Sequence, residues 1–292
     1  MLYDRVAVIG IGLIGGSFAL AAKKAGRVGH ITGCARSVAT RDGALAVGAA
    51  DEVTADPAQA VREADLVYLS VPVGSMAETL AAIAPHLKPD ALVTDAGSTK
   101  RTIMAAAAEH LPGRAFLGGH PIAGSEHAGI QAAYDGLFAG RTYVLTPSAT
   151  VSDAALARFH RLVEAIGARV VILDAETHDR CLAATSHLPH LVASALAAAV
   201  SGCVGSPEGT GCAGDPRALV GTGFADTTRI AAGSPELWRG IFTANADNLR
   251  AALNAVRDRL AEFDAALSSD DWEAVARLLE AGRRARGELM GS

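Results

Sequence analysis

Only 4% of the 292 residues are aromatic, and the four cysteines, Cys34, Cys181, Cys203 and Cys212, form no C-x-x-C pair. That spacing excludes a small disulfide scaffold and suits a reducing compartment, where free cysteine behaves as a small hydrophobe. Neither sign of charge dominates: 26 basic against 31 acidic side chains leave a formal net charge of -5. No global cationic field therefore exists to gather DNA, RNA or an anionic membrane. Long apolar runs are also missing. The run after Arg5 is interrupted by Gly10, Gly12, Gly15 and Gly16, so it reads neither as a signal peptide nor as the roughly 18 unbroken apolar residues of a membrane span. The expectation is a cytoplasmic protein whose partner is a small molecule, not nucleic acid or membrane. Half of the residues are hydrophobic, and at roughly 150 residues per domain the length corresponds to about two domains.

Apolar runs rich in Val and Ile alternate with stretches of helical composition through the first 174 residues. Arg5–Ile9, Ile31–Cys34, Asp65–Val71, Leu92–Asp95, Ala115–Leu117, Tyr143–Leu145 and Val170–Leu173 read as strands. Val38–Val47, Ser75–His86, Thr99–His110 and Ser152–Ile166 read as helices between them. Strands alternating with helices of this length predict an α/β fold with a parallel sheet covered on both faces. After Asp174 the strand signal stops. Residues 175–201 read as one Ala-rich helix, 202–216 as a loop, and Asp270–Arg286 as a final helix. Phe242, Ala246, Leu249, Leu253, Val256, Leu260, Phe263 and Leu267 alternate in steps of four and three, an a/d seam of the kind shared between packed helices. The expected division is a Rossmann-type dinucleotide-binding domain, 1–174, and an all-helical dimerisation and substrate domain, 175–292, that pairs with a second copy.

Gly10-Ile11-Gly12-Leu13-Ile14-Gly15 is G-x-G-x-x-G between the first strand and the first helix. In that context the first glycine makes the tight turn, the second lets backbone approach a pyrophosphate, and the third lets helix and strand pack closely. The helix N-terminus, with Leu13 and Ile14, offers N–H groups to the phosphates. The acid that grips the ribose diol of NAD belongs about 20 residues on, but Ala35 stands there, followed by Arg36 and Ser37. A guanidinium beside a hydroxyl suits a 2'-phosphate, so NADP is expected, with NAD as the alternative.

Asp95-Ala96-Gly97-Ser98-Thr99-Lys100 lies at a strand end, where open α/β sheets place ligands. Ser98 reads either as a donor to substrate or nicotinamide or as the cap of the following helix. His120 follows Gly118-Gly119; glycines beside an imidazole suggest close approach of a substrate to a general base. His187 and His190 are three apart on one helical face. No third ligand of matching spacing accompanies them, so they are expected to bind a carboxylate or carbonyl, and no metal is expected. Arg229, after Asp226-Thr227-Thr228, offers a bidentate grip on a carboxylate or an ion pair with Asp226.

These motifs, in this order, resemble the prephenate and arogenate dehydrogenases of tyrosine biosynthesis. The resemblance runs through residues 10–17, Ser-Val-Pro-Val at 70–73, Asp-Ala-Gly-Ser-Thr-Lys at 95–100 and Gly-Gly-His-Pro-Ile-Ala-Gly-Ser-Glu at 118–126. It continues through Ser-His-Leu-Pro-His at 186–190 and Asp-Thr-Thr-Arg-Ile-Ala at 226–231. It implies oxidative decarboxylation of prephenate, arogenate or both, with His120 assisting hydride transfer at the ring hydroxyl and Ser98 beside the same hydroxyl. It further implies that His187 contacts the substrate side chain, Arg229 the ring carboxylate, and Glu126 the site entrance. Trp238 would be offered from the partner subunit, with Val71 and Pro72 near the cofactor and His190 near the substrate. Ala35 departs from the acid found in many members, and the loop around Cys203 and Cys212 has no match. Two other readings stay open: a β-hydroxyacid dehydrogenase with Lys100 as acid or base, and a non-catalytic NADP-sensing regulator.

Overall fold

The computed structural model describes residues 1–124, 127–202 and 219–291. Eight strands, β1 (Tyr3–Ile9), β2 (Val28–Cys34), β3 (Glu52–Thr54), β4 (Leu66–Leu69), β5 (Leu92–Asp95), β6 (Phe116–Pro121), β7 (Thr142–Pro147) and β8 (Arg169–Ile172), form one sheet. Their order is β3-β2-β1-β4-β5-β6-β7-β8. The first six follow the dinucleotide-binding order, and each neighbouring pair among them is parallel. The order reverses between β1 and β4, which is where such sheets open a crevice for a ligand.

The crossovers are α1 (Leu13–Lys24), α2 (Val38–Ala46), α3 (Pro57–Val61), α4 (Met76–Ile83) and α5 (Arg101–His110), with α6 (Asp153–Ala165) joining β7 to β8. Helices on both faces bury the strands from both sides, so the sheet separates two apolar layers. One contains Val8, Phe18, Tyr68, Leu117, Tyr143 and Phe159. The other contains Ile9, Val67, Leu80, Val93, Ile103 and Phe116. Phe18 lies flat on Tyr68, with ring centroids 3.9 Å apart, so α1 is fixed over the strand at the switch point.

Two features of the sheet differ from the sequence expectation. β7 runs antiparallel to β6, because the chain between them reverses through a connection whose described residues form a short turn at Ile130–Ala132 and no crossover helix. In addition, β6 continues through Gly118, Gly119 and His120 to Pro121, which pair with β7 from Thr146 to Tyr143. His120 is thus held on a sheet strand and not on a loop after it. β3 and α3 were not anticipated; at three and five residues they are too short to show a period.

Beyond Ile172 the described residues are helical. α7 (Ala175–Leu182) runs through a π turn, Ala183–His187, into α8 (Leu188–Gly202), and α9 (Thr222–Thr228) and α10 (Pro235–Ala244) follow. The expected single helix is therefore locally widened. Pro189 cannot donate, and its ring crowds the carbonyl four residues back; a π turn just before it relieves that conflict. The run Ala175–Ser201 is long and apolar enough to cross a membrane by length and composition, with 28% of the window buried in the fold. By packing, the chain forms two compact units, Met1–Asn245 and Ala246–Ser292. The described residues between 175 and 245 thus pack in one unit with the sheet.

The second unit consists of α11 (Ala246–Ser268) and α12 (Trp272–Met290), with Asp271 capping α12 by accepting from the Ala274 N–H. The predicted seam does not run unbroken from Phe242, because Asn245 leaves helical conformation, at φ -132° and ψ 33°. Its side chain is fully buried and spends its hydrogen bonds elsewhere, as described below. Within α11 the seam keeps an uncovered stripe in the single chain, with Leu260 61% and Leu267 51% exposed.

Candidate active site

Gly10 has φ +88°, a conformation natural to glycine, and a Cβ there would lie 2.6 Å from the Ser70 carbonyl oxygen. A Cβ on Gly15 would lie 2.6 Å from the Gly10 carbonyl oxygen, so those two glycines serve the turn and the packing of α1 on β1. At Gly12 nothing stands within 4 Å of the added carbon, and no side chain caps α1. The loop therefore leaves open backbone and uncapped N–H groups where a pyrophosphate would sit, which fits the expected cofactor. Val71 borders Gly10 from the end of β4, with its Cγ1 3.1 Å from the Gly10 Cβ position, and Pro72 is exposed beside it. At the end of β2, Arg36 and Ser37 are exposed. Arg41, which was not anticipated, donates from Nη1 to the carbonyls of Ala35 and Arg36, each at 2.8 Å, and ties that turn to α2.

At the carboxyl end of β5, Asp95 and Lys100 form a wholly buried ion pair. Asp95 also accepts from the N–H groups of Gly97 at 2.7 Å and Gly119 at 2.9 Å, and Lys100 Nζ donates to the Gly119 carbonyl at 2.7 Å. Burial pushes the Lys100 ammonium below its ordinary value against the pull of Asp95. Lys100 thus ties β5 to β6 and is withdrawn from solvent, unlike the accessible acid or base of the β-hydroxyacid reading. Gly118 and Gly119 serve the same junction. Added carbons there would meet Met104 Sδ and the Asp95 carbonyl oxygen, so both glycines are needed for the packing of this strand.

His120, the next residue along β6, meets two residues that the sequence reading missed. Its Nδ1 lies 2.8 Å from Nε2 of His178, whose Nδ1 lies 2.7 Å from Oδ1 of Asp179. Both partners come from α7 and are fully buried. Asp179 also accepts the backbone N–H groups of Lys100 at 2.6 Å and Arg101 at 2.9 Å. Burial pushes the Asp179 carboxyl up, but the hydrogen bonds from His178, Arg101 and Lys100 outweigh it and hold the group below its ordinary value. A carboxylate at Asp179 fixes His178 as an Nδ1–H donor. With that proton on Nδ1, the Nε2 of His178 is placed to accept from His120 Nδ1–H, an arrangement that leaves Nε2 of His120 as a lone pair. His120 itself is pushed well below its ordinary value, first by burial and then by His178, Lys100 and His187, so it is a neutral imidazole at neutral pH.

A second group lies on the same helical run. Asn245 Nδ2 donates to the Asp179 carbonyl at 2.7 Å and contacts Nδ1 of His187 at 3.2 Å, while its Oδ1 accepts from Arg101. These contacts orient the amide, make His187 Nδ1 an acceptor and leave its proton on Nε2. That Nε2 is buried and has no hydrogen-bond partner among the described residues. Burial lowers His187 to about 4, so it too is neutral. His190, whose Nδ1 is likewise buried with no hydrogen-bond partner among the described residues, is stacked on Trp238, with ring centroids 3.7 Å apart. Trp238 also meets Phe242 at 5.6 Å. His190, Gly233, Trp238, Arg239 and Phe242 line a cavity of about 480 Å³. In the single chain Trp238 contacts its own His187 and His190.

Ser98 is half-buried on the β5–α5 loop and does not cap α5, which begins after Lys100 without a side-chain cap from its own segment. Arg229 is exposed where α9 ends. Glu126, with Cys203 and Cys212, lies outside the described residues. Among the described residues no group of three or more His, Cys, Asp or Glu side chains is arranged to hold a metal ion.

Comparison with known proteins accords with this arrangement. Residues 18–172 match the family model of the prephenate dehydrogenase nucleotide-binding domain, and residues 174–281 match that of its dimerization domain. A cyclohexadienyl dehydrogenase of Zymomonas mobilis is 37% identical over 285 residues, covering 98% of this chain and 96% of that one. The solved prephenate dehydrogenase of A. aeolicus, in complex with hydroxyphenyl propionate and NAD+, superposes with a TM-score of 0.88 at 32% identity over 98% of both chains. Synechocystis arogenate dehydrogenase superposes with a TM-score of 0.81 at 31% identity, covering 98% of this chain and 99% of that one.

The buried, neutral state of His187 links stability to pH. Between its ordinary value of 6.5 and its folded value of about 4, the unfolded chain binds a proton that the folded chain does not, so stability falls as pH falls through that window. From pH 7 to pH 5 the loss attributable to His187 is about 2 kcal/mol. Urea denaturation at the two pH values should show a smaller difference in His187→Gln than in the unsubstituted protein by about that amount. An equal difference in both proteins contradicts the assignment.

Proposed function

The chain belongs to the prephenate dehydrogenase family, and from that premise we propose which of its residues carry the reaction. The protein is an oxidoreductase that uses a nicotinamide dinucleotide for the oxidative decarboxylation of prephenate, arogenate or both in tyrosine biosynthesis. The observation that carries the residue assignment is the Nδ1 contact of His120 with His178, which leaves the His120 Nε2 lone pair for a substrate.

The bound nicotinamide dinucleotide supplies the hydride acceptor. His120 Nε2 accepts the proton of the C4 hydroxyl as hydride leaves C4, with Ser98 as a second hydrogen-bond partner of that hydroxyl. The carbonyl so formed is conjugated through the ring, draws the electrons of the ring carboxylate as CO2 departs, and leaves an aromatic product. His187, through Nε2–H, His190 and Trp238 bind the substrate side chain. Arg229 grips the ring carboxylate, and its effect belongs to binding, because an anion held too firmly departs slowly. Glu126 is assigned to the site entrance.

The Gly10, Gly12, Leu13, Ile14 and Gly15 loop holds the pyrophosphate, with Val71, Pro72 and Ser98 beside the nicotinamide end. NADP is preferred over NAD, because Arg36 and Ser37 offer a cation and a hydroxyl where a ribose-binding acid is missing. The uncovered stripe on α11 pairs with a second copy, giving a homodimer through the C-terminal helices. The division at 174 marks where nucleotide binding gives way to substrate binding and assembly. The protein works in the cytoplasm, away from membrane and nucleic acid, with the polar network of His178, Asp179 and Asn245 marking the 175–201 run as part of a site.

His120→Asn should lower kcat at least about 100-fold with the cofactor dissociation constant nearly unchanged; a loss under about threefold would remove His120 from the base role. Ala35→Asp combined with Arg36→Ile should shift the kcat/KM preference from NADP toward NAD. An unsubstituted enzyme that already prefers NAD contradicts the reading. For the dimer, Leu253→Asp with Leu260→Asp places charge in the apolar stripe, and sedimentation should show a monomer in place of a dimer. A monomeric parent protein at micromolar concentration would show the stripe to be no interface.

A further inference from the structure

We propose that His178 and Asp179 form a relay that sets the His120 tautomer and carries part of the positive charge His120 acquires in the reaction. The proposal rests on His120 being the base, as assigned above.

The difficulty it resolves is electrostatic. His120 is buried, and the charged groups around it are mostly unhelpful to an imidazolium. Lys100 faces it from the start of α5, His187 and His178 face it from the helical run, and Asp95 is already committed to Lys100 and to two backbone N–H groups. A base in such a place takes a proton reluctantly unless an anion is coupled to it. Asp179 is that anion, and His178 is what connects it: the chain of contacts runs His120 Nδ1, His178 Nε2, His178 Nδ1, Asp179 Oδ1 at 2.8 and 2.7 Å. Arg101 and the two backbone N–H groups that Asp179 accepts keep it ionised and immobile.

During the reaction the C4 hydroxyl O–H bond breaks and an N–H bond forms at His120 Nε2. His120 then carries one positive charge, with its Nδ1 proton shared toward His178 Nε2. His178 can draw that proton closer while its own Nδ1 proton stays on the Asp179 hydrogen bond, so the charge spreads over two rings beside a carboxylate. No proton need leave the relay until His120 Nε2–H is released to solvent. His178 and Asp179 touch neither substrate nor cofactor in this scheme; they are positioning residues acting through His120.

Asp179 also closes the start of α5, so the test is made at His178. His178→Gln retains an oxygen acceptor opposite His120 Nδ1, preserving the tautomer without a second ring to share charge. His178→Phe removes both functions. With prephenate and saturating cofactor, kcat should fall about 30-fold or more in His178→Gln and about 1,000-fold in His178→Phe, within the usual span of a base's contribution. In His178→Gln the acid limb of the kcat/KM profile should move to lower pH, and cofactor affinity by fluorescence titration should stay within about twofold, a combination that simple loosening of the fold would not give. Should His178→Phe fail to fold, the Gln variant decides alone. Activity within threefold of the parent, or a loss with the acid limb unmoved, overturns the relay. If His120→Asn itself retains activity, the base assignment falls first; an inactive His120→Asn beside a fully active His178→Gln sinks the relay alone.

Discussion

One buried carboxylate holds the site together. Asp179 accepts the first N–H groups of α5 from Lys100 and Arg101 and the Nδ1 proton of His178, while its backbone carbonyl accepts from Asn245. A helix start leaves its first N–H groups without partners, and a carboxylate from a distant segment answers two of them while favouring the positive end of the helix. The consequence reaches both histidines assigned to the reaction. His120 is oriented through His178 by the Asp179 carboxylate, and His187 through Asn245 by the Asp179 backbone carbonyl, so one residue reaches both rings through two different groups.

The same residue helps hold the compact unit together as far as Asn245. The sheet ends at Ile172, yet α7 is fastened to the start of α5 by the buried Asp179 carboxylate, which cannot be given up without stranding a charge, and the end of α10 is fastened to α7 and α5 through Asn245. Asp95 and Lys100 complete the junction from the sheet side. Their pairing clamps the strand that carries His120, and Gly119 permits the approach because any side chain there would meet the Asp95 backbone. Placing the proposed base on a paired strand, where loop motion cannot displace it, favours a fixed distance to a bound substrate.

Much of this was legible in the residues. The glycine loop, the strand and helix alternation and the helical second half followed from periodicity and punctuation, and His120, His187 and His190 were selected for their place in those patterns. What stayed hidden depended on partners distant in sequence. His178 and Asp179 stand 58 and 79 residues from the groups they serve, a separation that no local period reports. Gly118 and Gly119 were visible, but the strand packing they permit was not, because a glycine that admits a ligand and a glycine that admits a neighbouring strand look alike in sequence. Asn245 sat inside an unbroken heptad pattern, and only its three-dimensional commitments reveal why the helix stops there.

The account depends on His120 being a neutral imidazole that keeps its proton on Nδ1 and its lone pair on Nε2. Nitrogen-15 NMR of the imidazole-labelled protein at neutral pH, with the His120 signals identified by their loss in His120→Asn, measures this directly. The expected spectrum shows a protonated Nδ1 and an unprotonated Nε2 for His120; a proton on Nε2, or on both nitrogens, would contradict the account.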